Sequence, residues 1–233
     1  MQVIHIKQPK RKTYSLQFDH EGNLIVKTDS TYFKSHVDKI LEKHKSWIKK
    51  HFREIKTNIN IFKKDYLVDG SVFSVLGKSL TLKYIYKNNI DFDYSIEIQE
   101  KKILITINSK ARVSKKMLKE DLRNFFREYA RSYITKRVNF YTKKYNLNYN
   151  RIFIKNQRSK WGSCSSSKNL NFNWHLIFAP KNVIDYVVIH EITHLQHMDH
   201  SKKFWDLLGK RCKNIEIKKK WLRENENLIY FLK

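Results

Sequence analysis

Two cysteines in 233 residues, Cys164 and Cys212, are too few for a disulfide framework. A reducing compartment is the default for such a chain, and the cytoplasm is the expected location. No long apolar run opens the sequence, which begins Met1-Gln2-Val3-Ile4-His5-Ile6-Lys7. Neither a secretory leader nor a membrane span is expected. Acidic residues are scarce as well. Asp and Glu number 22 against 48 Lys and Arg, giving a formal charge of +26. Such an excess suits a polyanionic partner, nucleic acid or another acidic surface. Yet Lys outnumbers Arg 37 to 11, and no Arg cluster of the kind that reads bases by paired hydrogen bonds is visible. The basic residues are spread along the chain, as a biased genome composition would also leave them.

What is present is ample core material, 41% apolar and 14% aromatic, enough for one large domain or two small ones. The most informative stretch is Ile189-His190-Glu191-Ile192-Thr193-His194-Leu195, with His200 six residues after the second histidine. Residues four apart share a helix face, so His190 and His194 can address one metal ion. Glu191, beside the first of them, can reach a water on that ion, which is the HExxH arrangement of zinc peptidases. The alternative is a solvated His/Glu face. Against it, Val187, Val188, Ile189, Ile192 and Leu195 are apolar, so the helix is expected to be buried, and a buried histidine pair needs partners.

A catalytic zinc takes three protein ligands and leaves one position open. His200 is the favoured third ligand and His197 the alternative. A straight helix would put His197 about 10 Å along the axis from His190 at ~1.5 Å per residue, too far to share an ion held at ~2 Å. The chain is therefore expected to bend back near Met198-Asp199-His200-Ser201, with Asp199 or Ser201 capping a new helix from about Lys202. Phe204, Trp205 and Leu208 would then prop the third ligand.

The run from His190 through His200 to Phe204 and Trp205 resembles the YgjP-like metallopeptidase family, related to SprT-type zinc proteases. Trp161-Gly162-Ser163-Cys164, Leu170 to Trp174 and Leu176 to Pro180 resemble the same family. The likeness is strongest over residues 151–206. It implies an α+β fold with a zincin-like core, a metal-binding helix beside an antiparallel sheet. It also implies one zinc held by three histidines, a catalytic Glu191, and a peptide or protein substrate of no known identity.

Residues 1–110 are expected to form an N-terminal α+β unit and 111–233 the zincin-like domain. Thr13–Phe18 and Asn23–Lys27 alternate as strands around a turn at Asp19–Gly22. Thr31 to Ile55 has helical spacing. Its histidines His36, His44 and His51 lie two turns apart and do not converge on an ion. Residues 58–70 are a connection. Ser71–Leu76, Leu80–Tyr86, Tyr94–Gln99 and Ile103–Ile107 are expected as an antiparallel meander. Val113 to Lys144 is a long amphipathic helix whose interleaved aromatics and arginines fit core packing better than base stacking. Arg151–Lys155 is a strand, Gln157–Cys164 and Asn169–Phe178 a hairpin, Asn182 a cap for the metal helix, and Ile215–Leu232 a charged final helix. Gly162-Ser163 and Asn171–Asn173 are candidate edge positions for pairing with an extended peptide. Cys164 is expected as a small buried thiol, since a thiolate nucleophile needs a base that the metal already claims.

The expected chemistry is metal-assisted hydrolysis. Zinc polarises the scissile carbonyl and acidifies a water, and Glu191 takes the water's proton and delivers it to the leaving amine. Arg158, Lys160 or His197 would steady the oxyanion. The alternatives are a metal-dependent hydrolase of nucleotides or phosphate esters, and a protease or adaptor associated with nucleic acid.

Overall fold

Alternation near the start of the chain resolves into three short strands. The computed structural model describes residues 2–18, 23–49, 52, 66–157, 159–226 and 228. They fall into two compact units, Met1–Asp65 and Tyr66–Lys233. In the first, β3 (Leu24–Thr28) lies between β1 (Val3–Lys7), parallel to it, and β2 (Ser15–Phe18), antiparallel. Leu24 and Val26 enter a small core with Ile48 and with Val37 of α1 (Lys34–Lys43). The turn expected at Asp19–Gly22 lies outside the described residues. The helix expected to be continuous from Thr31 starts at Lys34 and is interrupted at His44, whose Nε2 meets the Tyr14 hydroxyl at 2.8 Å. Helix resumes at residues 45–49. His51 and residues 53–65 are not among those described.

In the second unit, β4 (Val72–Val75) and β5 (Lys78–Lys87) form one hairpin, β6 (Tyr94–Gln99) and β7 (Lys102–Asn108) another. Leu76 and Gly77, both at positive φ (52° and 75°), make the first turn, a conformation that follows strand twist. The expected strands are present, but the meander is corrected. The order is β4-β5-β7-β6, and β5 pairs with β7 in parallel. Every residue from Ile103 to Ile107 is buried. A strand buried on both faces belongs inside the sheet rather than at its edge.

Ser114 caps α2 (Lys115–Lys144), its hydroxyl accepting from the Met117 N–H at 3.2 Å. Leu118, Leu122, Phe126, Ala130, Ile134, Val138 and Thr142 are buried at every fourth position. Such a stripe drifts by about 40° per step around a helix of ~3.6 residues per turn. One end of α2 therefore meets the sheet while the other reaches the helix that carries His190. Phe126 lies 5.7 Å from Phe73 of β4, ring centre to ring centre, and Arg137 holds Asp185. No gap in packing follows residue 110, where a boundary was expected. The sheet, α2 and the C-terminal helices share one apolar core.

A three-stranded sheet carries the site. Its order is β8 (Ile152–Lys155), β10 (Leu170–Asn173), β9 (Gly162–Cys164), with β10 parallel to β8 and antiparallel to β9. The strand expected to run to Phe178 stops at Asn173. The Asn173 Oδ1 accepts from the His175 N–H at 3.2 Å and turns Trp174–Phe178 into a 3-10 helix. Then α3 (Lys181–Thr193) begins. Its cap is Pro180, not Asn182, because the Pro180 carbonyl takes the first helical bonds, from Val183 and Ile184. Two helices follow, α4 (Lys202–Arg211) and α5 (Ile215–Glu224). Tyr230 and Leu232, in the expected last helix, lie outside the described residues. Among the described residues no helix is long and apolar enough to cross a membrane.

Candidate metal centre

Nine of the thirteen residues of α3 are buried, from Val183 to Thr193, so the helix is enclosed on nearly all sides. Its last turn carries His190 and Glu191, and His194 terminates it. The chain then leaves the helix axis and bends at Met198 and Asp199. Ser201 is the cap of α4, and the Asp199 carboxylate accepts from its N–H at 3.3 Å. That bend returns His200 to the helix, as the spacing required.

His190, His194 and His200 each offer a ring nitrogen, and the three lie within 4.8 Å of one another. The Nε2 atoms of His190 and His200 are 3.1 Å apart. Two imidazole nitrogens bound to one tetrahedral ion at ~2.0–2.1 Å would stand about 3.3–3.5 Å apart, so the donor set fits a small divalent cation. His194 supplies a second mark of fit. Its Nδ1 lies 3.0 Å from the His197 carbonyl, which can only accept, so Nδ1 carries the proton and Nε2 is left as the free donor. Burial holds the His190 imidazole down at about 3, with the charges of His194, His200 and Lys219 adding to it, and burial also lowers His194. Both rings are therefore in the neutral form that a metal needs. The His190 Nδ1 is buried with no hydrogen-bond partner among the described residues.

Phe204 forms the floor. It is fully buried and its ring centre lies 4.5, 4.8 and 5.0 Å from those of His194, His200 and His190. Trp205 adds a wall 5.7 Å from His200, and Lys219 sits over the Trp205 ring. These ring contacts hold the three imidazoles in place from below and from the side.

Glu191 is 5% exposed and lies against Gly162 on β9. Burial lifts its carboxyl to about 8, while the Lys160 ammonium pulls the other way. Glu191 and His190 line a cleft of about 220 Å³, together with Lys160, Trp161, Gly162, Tyr186, Val187 and Leu222. Of the three residues expected to steady an oxyanion, Lys160 faces this cleft. Arg158 lies outside the described residues, and His197 contributes its carbonyl to His194.

β9 forms one edge of its sheet, in keeping with the expectation for Gly162 and Ser163. Asn171 and Asn173 are corrected. They sit on the central strand, buried, as internal braces. Asn171 donates to the Ser163 carbonyl, and Asn173 to the carbonyls of Gln157 and Lys160 at 2.9 and 3.1 Å. Burial and then the Glu191 carboxylate push the Cys164 thiol up to about 11, so it stays protonated. Asp185 points away from the histidines and pairs with Arg137 at 2.6 Å. Sequence reasoning did not place Tyr186, Val187 or Leu222 in a cleft beside Glu191. The first two precede His190 by four and three residues, so helical spacing could have found them. Nothing local marks Leu222, which arrives from α5.

A family model described as YgjP-like, metallopeptidase domain, matches residues 12–225. The chain is also similar to the crystal structure of the metallopeptidase zymogen of Methanocaldococcus jannaschii jannalysin. The match has 25% identity, covers 41% of this chain and 96% of that one, and has a TM-score of 0.35. No curated protein matches.

Proposed function

The chain belongs to the YgjP-like metallopeptidase family, and from that premise we propose that it cleaves peptide bonds with one zinc ion held by His190, His194 and His200 and with Glu191 as the base. The observation that carries the reading is the convergence of three imidazole nitrogens within 4.8 Å, one of them from His190, which lines a cleft together with Glu191. A set of three imidazoles suits zinc, with a fourth position left for chemistry. When bound, the ion supplies a Lewis acid that polarises a carbonyl and acidifies a water.

The residues of the chain do the rest. A cation held by the neighbouring histidines would offset the burial that keeps the Glu191 carboxyl protonated, and the carboxylate would then accept a proton from the attacking water and pass it to the leaving amine. Gly162 lets the carboxylate approach the β9 backbone, where an extended substrate can pair along the open edge of the strand. Lys160 presents an ammonium to the same cleft and opposes the negative charge that develops on the carbonyl oxygen. Burial of Glu191 and Phe204 excludes water from the protein side of the site. The net charge of +26 supports a second reading, a hydrolase of nucleotides or other phosphate esters.

The test compares wild type with Glu191→Gln, both purified without added metal. Metal content is measured, then activity on unfolded protein and on nucleoside triphosphates. About one zinc in each, with protein cleavage by wild type alone, is the expected result. Cleavage of triphosphates alone would replace the first reading by the second. Failure of both proteins to hold zinc when it is offered would remove both.

A further inference from the structure

Resting on that reading, we infer that the cleft beside Glu191 is a specificity pocket that selects a large apolar side chain, aromatic or long aliphatic, on the residue that follows the cleaved bond. The side of the bond follows from the chemistry. Glu191 gives its proton to the leaving amine, so that amine lies next to the Glu191 carboxylate. A pocket that opens at Glu191 then receives the side chain of the residue contributing the amine.

The chemistry of the walls sets the class. Tyr186 and Val187 come from α3, two residues on the turn before His190 and Glu191. Trp161 comes from the approach to β9, and Leu222 closes the cleft from α5. Tyr186 is 5% exposed, Val187 4% and Leu222 8%, so these walls are fixed by packing. A cavity of ~150 Å³ lined by apolar side chains already accepts benzene. At about 220 Å³ this one has room for a substituted ring. Small side chains would leave it partly filled and lose the dispersion contacts.

Charge adds a second filter. Lys160 borders the cleft. Lys219 lies over Trp205, whose ring centre is 6.2 Å from that of His190. Glu191 is the carboxylate in the cleft, and its task there is to exchange protons. A Lys or Arg side chain entering the pocket would meet the like charge of Lys160.

The test digests an unbiased mixture of synthetic peptides with the zinc-loaded full chain and maps the cut sites by mass spectrometry. Phe, Tyr, Trp, Leu and Met are expected after the cut about 10-fold or more above Ala and Ser, with Lys and Arg depleted. Leu222→Phe, which narrows the pocket, is expected to move that preference toward smaller residues. In Glu191→Gln the same peptides are expected to bind in the same order by calorimetry. Efficient cutting with no preference at that position overturns the inference and leaves the peptidase reading standing. A Leu222→Phe variant, folded by circular dichroism and unchanged in preference, overturns it too. If no peptide is cut by zinc-loaded protein, the peptidase reading falls and the inference with it.

Discussion

Gly162 and Glu191 occupy one another's space. A Cβ built on Gly162 would lie 2.7 Å from Glu191 Oε1 and 2.8 Å from its Cγ, closer than real Cβ atoms come. The absence of a side chain at Gly162 is what admits the carboxylate to its position.

Gly162→Ala is therefore expected to displace Glu191 while sparing the histidines. A misplacement of about 1 Å near the chemistry costs on the order of 100-fold in rate. The expected outcome is a fall of that size in kcat with metal content unchanged, read by steady-state kinetics beside metal analysis. Loss of metal together with activity would show instead that the strand supports the whole site.

Removal of the His200 imidazole is expected to be felt in metal affinity first. Losing a supporting partner of a ligand costs ~10–100-fold, and losing a ligand should exceed that. Competition with a chromogenic chelator compares His200→Ala with His197→Ala. The second variant keeps the backbone carbonyl that orients His194 and is expected to bind zinc as wild type does.

Phe204→Ala opens a cavity under three rings at once. Its expected cost is about 3–5 kcal/mol in unfolding free energy, the usual range for a buried Phe. Urea unfolding of the metal-free protein measures it. A loss under 1 kcal/mol would mean that the floor collapses around the hole.

The metal-free protein should have a pH dependence of stability that can be assigned to one carboxyl. Burial lifts Glu191 from 4.5 to about 8, so between those values the folded chain keeps a proton that the unfolded chain has released. Stability from this group is greatest below pH 4.5 and falls as pH rises toward 8. His190, lowered from 6.5 to about 3, works in the opposite direction below pH 6.5. From pH 6.5 to 8 the urea midpoint of metal-free wild type is therefore expected to fall, and that of Glu191→Gln to stay flat. Parallel curves would assign the decline to other groups.

Arg137 and Asp185 tie the far end of α2 to α3 through two hydrogen bonds, at 2.6 and 2.9 Å, with side chains 27% and 22% exposed. Asp185→Ala is expected to destabilise by about 1–3 kcal/mol, since the partner charge is left half-buried. Arg137 also packs over the rings of Phe140 and Tyr141, so Arg137→Ala should cost more. A double-mutant cycle separates the pair from the stacking.

The helix of His190 and Glu191, the bend after His194 and the packing of Phe204 and Trp205 were legible because their signals are local. Spacings of four and six residues, one apolar run and one cap suffice. The parallel pairing of β5 with β7 was not legible, because alternation marks a strand and its buried face but not its neighbour. Asn173 illustrates a different limit. Its residue type suggested an edge or a turn, and it serves as a buried brace whose partners, the carbonyls of Gln157 and Lys160, lie in an irregular stretch with no pattern of its own. His44, at which α1 ends, meets the hydroxyl of Tyr14, thirty residues earlier in the chain, a contact that no local pattern announces. The absence of a packing gap after residue 110 depends on Phe73 meeting Phe126, a contact that composition cannot announce.

The order β4-β5-β7-β6 also has a consequence in time. During synthesis each hairpin can close on its own within microseconds. The inner flank of β5, however, has no mate until Asn108 has left the ribosome. The two ribbons must then align Thr81 through Lys87 against Lys102 through Asn108 in a single register. That docking closes the longest loop in the sheet and is the natural slow step of its assembly. Until it is complete, a strand flank of unpaired backbone groups is exposed to neighbouring chains, so crowding of nascent copies is expected to lower the yield of folded protein.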